Sequence, residues 1–125
     1  MSRECFRVLR PGGRLVVVVI ETTPGLSNEE LTRAAELGPA EVRASAALCS
    51  MVRSVGFDVV REEDLTEEFE RAVADLLGGL RSEETELRRA EGDEEYQYEL
   101  DRRTSMLAGI RAGLIRRTFL AAIRP

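Results

Sequence analysis

The sequence contains no histidine, and all 18 of its basic residues are arginine, so it has no lysine either. A Ser-His-Asp or Cys-His nucleophile pair, a histidine-ligated zinc, a Walker-type phosphate-binding lysine and a Schiff-base lysine are therefore excluded within this chain. Proton transfer falls to Asp, Glu, Tyr or water. The only two cysteines, Cys5 and Cys49, stand far apart in apolar stretches. That spacing provides neither a metal-ligand pattern nor a disulfide framework, and both are expected to be buried, inert thiols. No run approaches the roughly 18 apolar residues of a membrane span. The longest, residues 15–20, is far shorter, and the N-terminus lacks the apolar stretch and cleavage site of a signal peptide. The expectation is a cytoplasmic protein with no membrane partner.

What is present suits one small unit: 125 residues, 43 % of them hydrophobic, is enough to bury a core. The formal charge of −5 is unevenly spread, because residues 62–101 carry 16 acids against 4 arginines and the chain from residue 102 on carries 6 arginines and no acid. This reads as a solvated acidic helix face beside a basic terminal strand. The basic end is too short, and too apolar between its arginines, to argue for nucleic acid.

Along the chain, residues 2–10 have helical spacing, and Pro11-Gly12-Gly13 ends that helix in a tight turn. Residues 14–20 are almost purely aliphatic and β-branched, the pattern of a strand covered on both faces. Residues 21–25 read as a loop. Ser27 and Glu30 have capping-box spacing for a helix closed by Gly38-Pro39, and Pro39 suits the first turn of the next helix, which carries a stripe of Val42, Ala46, Cys49 and Val52 and stops at Gly56. Residues 57–61 read as a second strand. Asp64 and Glu67 again have capping-box spacing, for a helix with Phe69, Val73, Leu76, Leu77 and Leu80 on one face, interrupted at Gly78-Gly79. Ser82 is placed to cap a short acidic helix ending near Gly92, and from Glu94 a longer helix carries Tyr96, Leu100, Leu107, Ile110 and Leu114. Residues 115–123 form a third strand. The alternation argues an α/β unit with a small sheet covered by helices. No linker or internal repeat divides residues 1–125.

The run Glu4-Cys5-Phe6-Arg7-Val8-Leu9-Arg10-Pro11-Gly12-Gly13-Arg14-Leu15-Val16-Val17 closely resembles the helix, Leu-(Lys/Arg)-Pro-Gly-Gly turn and fifth strand of class I S-adenosylmethionine-dependent methyltransferases. Proline stops the helix there and the paired glycines reverse the chain into a buried strand. Val55-Gly56-Phe57 leading into Asp58-Val59-Val60 is similar to the end of that family's fifth helix and its sixth strand. The final run from Ala112 to Pro125 is similar to its seventh. The resemblance implies the C-terminal half of a Rossmann-like methyltransferase fold, with a small mixed three-stranded sheet whose last strand is antiparallel and central, flanked by helices. It does not supply a cofactor site. The family's glycine-rich turn after the first strand and its acidic residue ending the second have no counterpart here, so S-adenosylmethionine is expected for the complete domain, and none for this chain alone.

The resemblance places two segments toward an acceptor substrate: Glu21, Thr22 and Thr23 after the first strand, and the stretch with Tyr96, Tyr98, Arg102 and Arg103 before the last. Methyl transfer depends on positioning, helped by a carboxylate or phenol where the acceptor loses a proton, which makes Glu21 and Tyr96 the catalytic candidates. Plain structural roles compete: Glu21 ending a strand in water, and the tyrosines packing with their polar tips exposed. Gly12 and Gly13 are structural, because a strand and not a helix follows them. No metal site is expected. The implied partners are a small-molecule substrate and a missing N-terminal half, upstream in a longer product or on a partner chain. The alternative is a non-catalytic interaction or regulatory module that forms a homodimer through an exposed strand edge.

Overall fold

The computed structural model describes residues 2–38 and 48–125. The expected positions of Pro39, Val42 and Ala46 lie outside the described residues.

A short helix, α1 (Ser2–Val8), leads through the Pro-Gly-Gly turn into β1 (Arg14–Thr22). Gly12 sits at φ +83, a backbone state open to glycine, and a Cβ on Gly13 would meet the Arg10 carbonyl oxygen at 2.8 Å. Both glycines are thus required by the turn. Helices α2 (Asn28–Leu37) and α3 (Leu48–Val55) follow, then β2 (Asp58–Asp64), a helical run of α4 (Thr66–Ser82), α5 (Glu84–Glu91) and α6 (Asp93–Arg111), and finally β3 (Ile115–Ile123).

The last strand is central: the sheet order is β1-β3-β2, with both pairings antiparallel. The two outer strands therefore run in the same direction without touching, as the resemblance implied. β1 and β3 match without a break from Arg14↔Ile123 to Thr22↔Ile115. The β2–β3 register shifts between Val59 and Arg61, which leaves Val60 as a bulge residue.

Each face of the sheet has its own core. On one, Leu15, Val17, Val19, Leu120 and Ala122 pack with Leu48, Cys49 and Val52 of α3 and with Phe6 of α1, whose ring meets Phe57 edge-on at 5.2 Å. On the other, Ile20 and Ile115 pack under Ala34 of α2, Phe69, Val73 and Leu77 of α4, and Met106, Leu107 and Ile110 of α6. Those helices cover only one end of their face. At the other end Val16 and Val60 are each 59 % exposed and Val18 is 45 % exposed, and a shallow cavity of about 230 Å³ lies between Arg14, Val16, Val60, Ala121 and Ile123.

Several local expectations change. β1 runs on through Thr22, because Glu21 and Thr22 keep pairing with Arg116 and Ile115, so neither lies in a loop. The Ser27–Glu30 capping box forms in full. At α4 none forms: Leu65 holds the cap position, and Asp64 instead accepts from the backbone N–H and the hydroxyl of Thr66. α4 continues unbroken through Gly78 and Gly79, since buried Phe69, Val73 and Leu77 anchor it on the core. Ser82 closes that helix by donating to the Gly79 carbonyl at 3.1 Å and caps nothing after it. Cys49 is buried but Cys5 only half-buried.

Candidate functional site

The strand-end group is built around Glu21. Its Oε1 accepts from Arg116 Nε at 2.8 Å and Nη2 at 2.6 Å and from Thr118 Oγ1 at 2.9 Å, while Oε2 accepts from the Leu48 backbone N–H at 3.1 Å. The two charged side chains retain only 15 % and 19 % of their exposure. The register explains the cluster: Arg116 lies directly across from Glu21 and Thr118 is its diagonal neighbour on the same face. Charge-assisted bonds of this kind tie β1, β3 and the start of α3 together. They also occupy both carboxylate oxygens. Nearby, burial pushes the Cys49 thiol above its ordinary range, and the Glu62 carboxylate adds to the rise.

Thr22 is buried on the opposite face at the end of β1, and the Thr23 backbone N–H donates to the Leu114 carbonyl at 3.0 Å. Tyr96 has no exposed surface. Its hydroxyl donates to the Leu80 carbonyl at 2.8 Å and the Arg88 guanidinium lies 4.4 Å from its ring centroid, so it pins α4, α5 and α6 to one another. Arg103 Nε stands 3.5 Å from Glu99 Oε2, an ion pair too long to be a hydrogen bond, and that nitrogen has no other partner among the described residues.

Tyr98 and Arg102 do meet at one place. They line an open cleft of about 220 Å³ between the end of α2 and the middle of α6, together with Glu36, Leu37, Gly38, Asp101 and Ser105. The sequence-predicted residues therefore fall into separate groups: Glu21 in an ion-pair cluster, Tyr96 inside the helical layer, Tyr98 and Arg102 in a cleft. Arg116 and Thr118 were missed because only the strand register brings them to Glu21. Asp101 and Ser105 had a signal, their spacing of three and seven residues from Tyr98 along α6.

The helix that follows β1, α2, starts with a capping box, the Glu30 N–H donating to the Ser27 hydroxyl at 3.2 Å and the Ser27 N–H to the Glu30 carboxylate at 3.0 Å, and carries Glu29 and Glu30 in its first turn, an arrangement hostile to an anionic or carboxylate-bearing ligand. Among the described residues, no group of acids and cysteines has the geometry of a metal site, and no helix is long and apolar enough to cross a membrane.

No family model matches the sequence, and no curated protein matches it. Solved structures do match in fold. The chain superposes on a protein described as a sarcosine dimethylglycine methyltransferase from Galdieria sulphuraria with a TM-score of 0.83 at 16 % identity, over 98 % of this chain and 46 % of that one. For a phosphoethanolamine N-methyltransferase from Haemonchus contortus solved with S-adenosyl-L-methionine, the values are 0.79 and 17 %, over 99 % and 29 %. For a cyclopropane synthase from Mycobacterium tuberculosis they are 0.77 and 18 %, over 98 % and 48 %. The chain thus spans about half the length of these structures or less. Its fold is that of the C-terminal region of class I S-adenosylmethionine-dependent methyltransferases.

Proposed function

We propose that the chain is the acceptor-side portion of an S-adenosylmethionine-dependent methyltransferase acting on a small molecule, and that it works with a cofactor-binding half that it does not itself contain. The observation that carries this reading is the match of nearly the whole chain to methyltransferase structures more than twice its length. The incompletely covered β1 supports it, because a strand apolar on both faces is built for an interior position. In that role Glu21 acts as a positioning residue that sets the β1–β3 register, since its oxygens are already engaged. Tyr96 likewise shapes the helical layer.

A calorimetric titration of the chain with S-adenosylmethionine tests the first part of the proposal. The expected result is no measurable binding; micromolar affinity would overturn it. The coding sequence directly upstream of Met1 tests the second part, where an open frame encoding a strand followed by a Gly-x-Gly turn is the expected finding.

One observation favours a second reading, a non-catalytic module that pairs with its own copy. The outer edge of β1 has no partner strand among the described residues, and no charge interrupts it between Arg14 and Glu21. Light scattering decides between the readings: a monomer at high concentration removes self-association.

A further inference from the structure

α6 presents two faces. Tyr96, Leu107 and Ile110 are buried in the core, whereas Tyr98, Asp101, Arg102 and Ser105, spaced by three, four and seven residues, form a second stripe toward the end of α2. The two helices nearly touch below that stripe, where a Cβ on Gly109 would stand 3.3 Å from the Leu37 Cβ. Toward Tyr98 the cleft opens to about 220 Å³. That is room for several waters or one small organic molecule.

The lining has two poles. Glu36 and Asp101 are negative, and the α2 C-terminus, which has no basic residue in its last turn, adds the partial negative charge of its final carbonyls. Gln97 holds Asp101 by one oxygen, Oδ1, at 2.8 Å. Beside them the Tyr98 ring, 59 % exposed, offers a face to a cation. The positive pole is Arg102, whose guanidinium engages no carboxylate among the described residues, with the Ser105 hydroxyl one turn away as a second donor. A purely anionic ligand would meet two carboxylates, a purely cationic one would leave Arg102 facing it, and an apolar one would desolvate charges without replacing their partners.

We propose that this cleft binds a small zwitterion, its protonated or alkylated amine against Glu36, Asp101 and the Tyr98 face, and its carboxylate or phosphate on Arg102 and Ser105. The inference rests on the methyltransferase reading only in taking this ligand as the methyl acceptor; binding itself does not require it.

The test is an NMR titration of the full chain with N,N-dimethylglycine, using tetramethylammonium and acetate as single-charge probes. Saturable shifts are expected at residues 36–38 and 98–105 with dimethylglycine, and affinities at least fivefold weaker for either single ion. Arg102→Ala and Asp101→Asn should each weaken dimethylglycine binding about tenfold or more, as expected for loss of a charge-assisted contact. Both side chains are exposed, and unchanged circular dichroism confirms that the variants fold. Absence of saturation, equal affinity for tetramethylammonium, or indifference to Arg102→Ala would overturn the site. S-adenosylmethionine titration and methyl-transfer assays with a cofactor half address the enzyme reading separately, so a chain that binds the zwitterion but never supports transfer sinks that reading alone.

Discussion

β1 and β3 are each nine residues long and rich in aliphatic side chains, yet they have opposite surroundings. β3 is paired on both edges, and Ile115, Thr118, Leu120 and Ala122 are buried along it. Among the described residues β1 is paired on one edge only, and Val16 and Val18 stand open on one face. The same kind of sequence is therefore satisfied in one strand and unsatisfied in the other. β1 carries more apolar surface than the described residues cover, and it is this surplus that the proposed cofactor-binding half or second copy would bury.

The largest effect should come from breaking the satisfied strand. Leu120→Ala is expected to lower stability by about 2–5 kcal/mol, read from urea unfolding, because Leu120 is fully buried on the central strand in the core under α1 and α3. Next is the tie at one end of the β1–β3 pair. Glu21→Gln leaves Arg116 without its anion and should cost about 1–3 kcal/mol, with slower-exchanging β1 amides losing protection first. At the other end Arg124 donates to the Phe6 carbonyl at 2.7 Å and to the Leu9 carbonyl, and its guanidinium lies 4.4 Å from the Phe6 ring centroid. Arg124→Ala should cost about 1 kcal/mol and fray α1 before the sheet.

The open strand should behave in the opposite way. Val16→Thr combined with Val18→Thr is expected to change the stability of the isolated chain by no more than about 0.5 kcal/mol per site. The same pair should weaken whatever association covers β1, measured by light scattering or by co-purification with a cofactor-binding half. A change of several kcal/mol in the chain alone would show that this face is already covered.

The smallest effect concerns pH at the end of β2. Hydrogen bonds from the Thr66 hydroxyl and backbone N–H hold the Asp64 carboxyl below its ordinary range. A depressed carboxylate contributes stability that is present above its unfolded pKa, about 3.9, and lost as pH falls through the folded value. Asp64→Asn should therefore lower stability slightly at neutral pH, where that contribution is present, leave it little changed at pH values below the folded pKa, and so flatten the acid limb of the stability curve, as followed by unfolding at a series of pH values.

Much of the fold was legible because local physics and packing agree. The Pro-Gly-Gly turn, the Ser27–Glu30 box, the stop at Gly56 and the third strand all appear where the spacing put them. The errors fall where tertiary contacts outweighed a local preference. Gly78 and Gly79 do not break α4, since one face of the helix is held by the core, and Glu21 and Thr22 are drawn into β1 by cross-strand pairing. Of the candidate residues, Tyr98 and Arg102 line one cleft, as their spacing along one helix allows, but the bonds made by Glu21 and Tyr96 were not visible in the sequence. Their partners, Arg116 and the Leu80 carbonyl, lie 95 and 16 residues away.

By itself the sequence determined which segments are strands and helices, which chemistries are excluded, and that β1 is apolar on both faces, because periodicity and residue type act over a few neighbouring positions. The central place of β3 was already implied by the resemblance, whereas only the tertiary structure decided that Glu21 is held by Arg116 and Thr118, and that a charged cleft opens between α2 and α6. Those outcomes depend on strand register and on the distance between helices, which arise from contacts between residues far apart in the chain.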